Sequence, residues 1–181
     1  MRKTVYILSI ALMPFWAISQ SVFNKYEHHK DVGAITINKG LIDLAASMGE
    51  LSKDPEAKEL SQLVSGLEEI SIYMTQDVDA TRDMAKTVAT YLKTNKLEEL
   101  MRVRDQDVHV KFYVREGKKK DHVNELLMFV SGLDKAVDAG PMGKMETVLV
   151  SLTGEMDLNN IGKLAQAMDL PKELQQAGSS Q

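Results

Sequence analysis

Four short stretches hold side chains whose type and spacing suit chemistry. In Asp77-Val78-Asp79-Ala80-Thr81, behind an apolar run, one carboxylate can attack a phosphoryl group while the second moves the proton and a metal ion balances the charge. Phosphatases of that kind also need a distant Lys and a later acidic pair within a parallel sheet, and the order of segments offers neither. The Asp pair therefore reads as a helix start, where carboxylates satisfy exposed backbone amides. Glu27-His28-His29 with Asp31 is a divalent-metal donor set by type. Neighbours in an extended lead-in diverge, however, and His109 and His122 have no ligand-spaced partners. Asp157-Leu158-Asn159-Asn160-Ile161-Gly162 opens like a calcium loop but has an apolar residue at its fifth position, and Met168 stands where the bidentate Glu belongs. Met142 and Met145 have thioether spacing for copper(I), yet most methionines fall at apolar core positions.

No serine sits in a Gly-x-Ser-x-Gly elbow, and no glycine-rich phosphate cradle follows a strand. The absence of cysteine excludes disulfides, thiolate metal sites, thiol nucleophiles and a lipid-modified cysteine. No complete catalytic or metal-binding set is left, and no cofactor is expected.

One pattern survives. Arg102, Arg104, His109, Lys111, Tyr113 and Arg115 alternate with aliphatic residues along two adjacent period-two segments, and so fall on one face of a ribbon. Exposed, they form a cationic stripe with one aromatic, suited to an anionic polymer, a lipid head group or an acidic protein surface. Acidic residues on neighbouring strands would instead neutralise it.

The remaining segments decide what positions that ribbon. Arg2 and Lys3, the apolar run from Thr4 to Trp16, and Ala17-Ile18-Ser19 make a signal peptide with a small-x-small cleavage site after Ser19. The run is shorter than the roughly 20 residues that span a bilayer, so no stable transmembrane span is expected after cleavage; an uncleaved anchor is the alternative. Cleavage removes two of the 22 Lys+Arg and none of the 26 Asp+Glu, taking the net charge from −4 to −6. That balance argues against a nucleic-acid partner. Residues 20–171 are expected to form a single domain, and 172–181 a disordered tail.

Val32–Asn38 alternates as a strand, and Leu41, Leu44, Ala45, Met48 and Leu51 mark a helix whose apolar stripe should face the core. Asp54-Pro55 starts a second helix, with Ala57, Leu60, Leu63 and Val64 inward and Gly66 placed to end it in a left-handed conformation. A strand over 69–75 and a helix over 78–93, capped by Asn95, follow. The hairpin 100–104/108–115 turns at Asp105-Gln106-Asp107. Lys118-Lys119-Lys120 is a solvated turn, and residues 123–131 are apolar on both faces, as in a central strand. After Gly140-Pro141-Met142-Gly143 come a strand over 146–153 and a last helix from Asp157 to Pro171, with Leu158, Ile161, Leu164, Ala165 and Met168 on one side. This order predicts an α+β fold: a largely antiparallel sheet of about six strands with helices packed on one face.

Through Asn95–Val103, Val110–Val114, Glu125–Val130 and Glu146–Gly154, with Asp54-Pro55-Glu56-Ala57 and Asp157-Leu158-Asn159, the chain resembles the domain of unknown function numbered 4252, found in exported proteins of Bacteroidota. The resemblance implies a periplasmic, membrane-associated or secreted address and a link to envelope stress signalling. It carries over no catalytic residue. Where relatives carry a lipid-attachment cysteine, this chain has Ser19-Gln20-Ser21. The expectation is thus a periplasmic or secreted, non-enzymatic binding module for an unknown protein or anionic envelope component, met through the hairpin face or the Lys118–Lys120 loop. The alternative is a hydrolase with a site of scattered polar residues.

Overall fold

In the computed structural model the described residues are 21–105, 107–133 and 145–157. The expected signal peptide, Gln106 of the expected hairpin turn, and the turn, last helix and tail expected over 140–143, 158–171 and 172–181 lie outside them. A 3-10 helix, Val22–Tyr26, precedes β1 (Val32–Asn38), α1 (Lys39–Leu51), α2 (Pro55–Val64), β2 (Leu67–Thr75), α3 (Val78–Asn95), β3 (Glu98–Asp105), β4 (Val108–Glu116), β5 (His122–Ser131) and β6 (Thr147–Asp157). The six strands form one open sheet in the order β1-β2-β6-β5-β4-β3, with every neighbouring pair antiparallel. The α+β class and the six antiparallel strands are those the sequence predicts, and β5 is an interior strand.

The helices are divided between the two faces of the sheet rather than gathered on one. On one face Ala80, Met84 and Val88 of α3 pack with Phe23, Tyr26, Tyr73, Leu127 and Leu149. On the other Ile42 of α1 and Val64 of α2 pack with Leu67, Val114, Leu126, Leu152 and Met156. The division follows from strand residues alternating between faces: Tyr73 and Leu149 are partners across β2–β6, while Ile70 and Leu152 are partners pointing the other way. Full burial of a side chain such as Met84 contributes about 1.5–3 kcal/mol.

Caps set the helix boundaries. Asn38, Asp54 and Asp77 accept backbone N–H bonds at the starts of α1, α2 and α3. At the end of α3 Lys96 takes the left-handed conformation (φ 54°), while Asn95 donates from its side chain to the Tyr91 carbonyl 3.1 Å away. Nor does Gly66 end α2 through a left-handed φ. Its missing Cβ makes room for the Glu155 carbonyl, and the Glu155 amide donates to the Gly66 carbonyl at 2.9 Å. Gly154, at φ +129°, lies against the same crossing.

The apolar stripe of α1 departs from expectation. Ile42 and Ala46 are the buried residues, whereas Leu41, Leu44, Met48 and Leu51 are 54–87% exposed. Gly49 explains the rotation: a Cβ there would collide with the Ala57 carbonyl and Ser61, so α2 packs on the small-residue side of α1. On α2 itself Ser61 is buried and Leu60 exposed.

Candidate functional site

All six residues of the predicted stripe lie on the α3 face, in successive cross-strand rows. Arg104 pairs with His109 and Arg102 with Lys111; Tyr113 faces Glu99, and Arg115 faces Glu125 on β5. The ribbon therefore brings together the residues that sequence spacing groups, but their surroundings separate them into two sets.

Tyr113 is 9% exposed and packs among Leu97, Leu127 and the α3 side chains, so it belongs to the core. Burial, followed by the charge of Glu99, pushes its hydroxyl up. Arg102 donates to both oxygens of Glu99, from Nε at 2.9 Å and Nη2 at 2.7 Å. That hydrogen bonding holds the Glu99 carboxyl below its usual range. Residues three apart in a regular strand lie on opposite faces. A bulge between Glu99 and Met101 shifts the register and puts Glu99 on the same side as Arg102. Arg104, His109 and Lys111 form no hydrogen bond or ion pair among the described residues, which leaves a cationic block at the outer end of the hairpin.

Arg115 turns away from that block. Its Nη2 lies 3.1 Å from Glu125 Oε2, and the Glu125 side chain is only 1% exposed. Burial pushes the Glu125 carboxyl up, opposed by the Tyr91 hydroxyl and the Arg115 charge. Burial and the adjacent Glu125 charge in turn push the Tyr91 hydroxyl far up. Neither Glu125 oxygen nor Arg115 Nε has a well-aligned hydrogen bond. Register places Asn38, Glu69, Thr153, Glu125 and Arg115 in one row across five strands. Over this row opens a polar pocket of about 800 Å³, lined by Asn24, Glu69, Tyr91, Lys119 and Thr153 among others. Lys119 pairs with Glu155 at 2.5 Å, tying the Lys118–Lys120 turn to β6. Glu125 was absent from the candidates that spacing suggests, although one carboxylate inside the apolar run 123–130 is itself a signal that a buried partner exists.

The other motifs resolve locally. Asp77 Oδ1 accepts from the Ala80 amide at 2.8 Å as a helix cap, and Asp79 pairs with Arg82 at 2.6 Å. Glu27 accepts from the Thr36 hydroxyl, and His29 Nδ1 from the Asp31 amide. Among the described residues no three His, Asp or Glu side chains converge on a possible metal position. Asp157 is the last residue of β6, and the rest of that loop lies outside the described residues, as does Met142. No helix among the described residues is long and apolar enough to cross a membrane.

The chain matches the family model described as Domain of unknown function (DUF4252) over residues 26–164. No curated protein matches it. No solved structure matches it either.

Proposed function

Taking as premise that the chain belongs to this family, whose members are grouped as a domain of unknown function, we propose an exported, non-enzymatic module that binds an anionic component of the envelope. The observation that carries the reading is the cationic block. Arg102 stands directly opposite Lys111, and Arg104 opposite His109. The like charges of Arg102 and Lys111 oppose each other by a few tenths to about 1 kcal/mol, and Glu99, which pairs with Arg102, also attracts Lys111. Arg104 is exposed and Lys111 half-buried beside it, and a docked anion offsets the remaining repulsion.

Export rests on the leader: residues 1–19 have the charge, apolar length and small-residue end of a cleavable signal, which favours a periplasmic or secreted protein cut near Ser19. The link to envelope stress signalling rests on the family resemblance alone. The intact mass of the protein recovered from periplasmic and culture fractions tests the address; a chain that keeps residues 1–19 in the membrane fraction overturns it.

Binding is tested by retention on a heparin column and cosedimentation with phosphatidylglycerol vesicles, comparing wild type with Arg104→Glu/Lys111→Glu. Wild type should bind in both assays and release with salt, as screening of exposed charge requires. If wild type binds neither, or the reversal leaves binding unchanged, the block is not the contact surface.

One observation favours the hydrolase alternative: the polar pocket with Glu69 and Glu125 in its row. Both Glu125 oxygens are shielded from solvent, however, and an acid that transfers a proton must reach its substrate. The binding reading stands first.

A further inference from the structure

The two edges of the sheet differ in kind. β3 is charged along its length and interrupted by the bulge after Glu99, which blunts an edge against pairing. β1 has neither protection. Its seven residues, Val-Gly-Ala-Ile-Thr-Ile-Asn, include no charge and no proline, and its pairing with β2 runs without a register shift. Gly33, Ala34, Ile35 and Thr36 are exposed, with Ile35 at 43%. A long, uncharged, regular edge is a template for another strand.

The strand next to it can be a copy of itself. Antiparallel pairing of β1 with β1 about Ile35 sets Ile35 against Ile35, Ala34 against Thr36, Gly33 against Ile37 and Val32 against Asn38. No like charges meet. The same operation on β3 would oppose charged side chains from a strand that carries three acids and two arginines over 98–105.

The helix layer fits the same symmetry. Two antiparallel copies in one continuous sheet are related by a dyad perpendicular to it, so both α1 helices lie on one side. Ile42 of α1 packs in one cluster with Ile37 of β1 and Ile70 of β2, which places the helix over the edge pair of strands, its axis about half a strand spacing inside the edge. Its copy lies equally far beyond the dyad, so the axes are about two strand spacings apart, roughly 10 Å. Packed helices are separated by about 8–10 Å. α2 packs against Gly49 of α1, and Val64 at its C-terminal end joins the cluster that holds Leu152 and Met156 of β6. Leu41, Leu44, Met48 and Leu51 lie across α1 from Ile42, Ala46 and Gly49, exposed on the sheet face that the dyad shares between the two copies.

We infer that this protein forms a twofold dimer through β1, with the exposed leucines and Met48 of α1 as the apolar part of the interface. The result is a twelve-stranded sheet whose two cationic blocks sit at its far ends. The inference is independent of what those blocks bind.

The test is light scattering on the purified protein after size exclusion, with Ile35→Lys and Ile35→Glu variants. Ile35 is exposed, so both variants should keep the wild-type far-UV circular dichroism. Wild type should run as a dimer and each variant alone as a monomer, because the dyad brings like charges together. An equimolar mixture of the two variants should regain the dimer mass, since only pairing through residue 35 sets Lys against Glu. A monomeric wild type overturns the inference, as does a dimer that survives both substitutions or a mixture that stays monomeric.

Discussion

Arg115→Met removes the guanidinium beside Glu125 while keeping most of the aliphatic stem, and its effect should depend on pH. In the native protein the buried Glu125 carboxyl is already pushed up from its ordinary value of 4.5, with Arg115 and Tyr91 pulling the other way. Removing Arg115 takes away one of those two restraints. Breaking a buried ion pair by deleting one partner costs about 3–5 kcal/mol when the remaining charge has no escape. Two features reduce that here. The Arg115 side chain is 43% exposed, so solvent already screens part of the attraction. Glu125 can also take up a proton, at about 1.4 kcal/mol for each unit by which the pH exceeds its folded pKa. The expected loss is therefore about 2 kcal/mol near pH 7.5.

The sign follows from the direction of the shift. A carboxyl whose folded pKa is raised binds its proton more tightly in the folded state. Its contribution is fully present below the unfolded value and is lost as pH rises through the folded one. Arg115→Met moves the folded value further up and deepens that loss. Near pH 5 the proton is taken up at little cost, and the difference from wild type should fall below about 1 kcal/mol. Urea unfolding followed by circular dichroism at both pH values measures this. Arg115→Met/Glu125→Gln supplies the control, since a neutral amide has no charge to strand. It should recover most of the stability lost at the higher pH and be nearly flat between the two. An Arg115→Met loss equal at both pH values, or a double variant no better than the single, refutes the assignment of Glu125 as the group responsible.

Substitutions at two further positions test the roles assigned to polar side chains. Asp77→Ala should cost about 1 kcal/mol in urea unfolding, because the cap on the Ala80 amide is lost, and Asp77→Asn should cost little, since Asn caps equally well. A nucleophile would be lost in both variants. Tyr26→Phe should cost about 1–2 kcal/mol in thermal or urea unfolding, because the Tyr26 hydroxyl joins the 3-10 helix to α3 by donating to Asp83 at 2.7 Å and bonding Thr87 at 2.9 Å. An unchanged midpoint would show that water replaces those bonds.

Period, caps and strand count were legible because each depends on residues close in the chain. Val108 to Arg115 alternates, Asp54-Pro55 and Asp77 cap, and β5 is apolar on both faces; all of these survive in the fold. What was not legible depends on distant residues or on one displaced residue. Alternation puts Arg102 and Arg115 on the same face but says nothing of Glu99, which reaches Arg102 only because the bulge moves it across. Nor does local pattern pair Arg115 with Glu125, a match set by the register of β4 on β5. Half of the stripe is thus engaged by neighbouring side chains, Arg102 by Glu99, Arg115 by Glu125 and Tyr113 by the core, while Arg104, His109 and Lys111 form no ion pair among the described residues.

The helix α1 carries this distinction furthest. Its stripe of Leu41, Leu44, Met48 and Leu51 is the more apolar by side-chain size, and periodicity assigns it to the core. The fold buries the smaller stripe instead, because Ala46 and Gly49 permit an approach to α2 that leucines would prevent. An amphipathic pattern states that a surface tends to be covered, not which surface covers it. Of the two apolar sides of α1, one is covered by α2 and the sheet, and the other stays exposed among the described residues. α1 follows β1 directly, so its exposed larger side and the uncharged edge strand belong to one end of the sheet among the described residues, and one twofold partner can cover both.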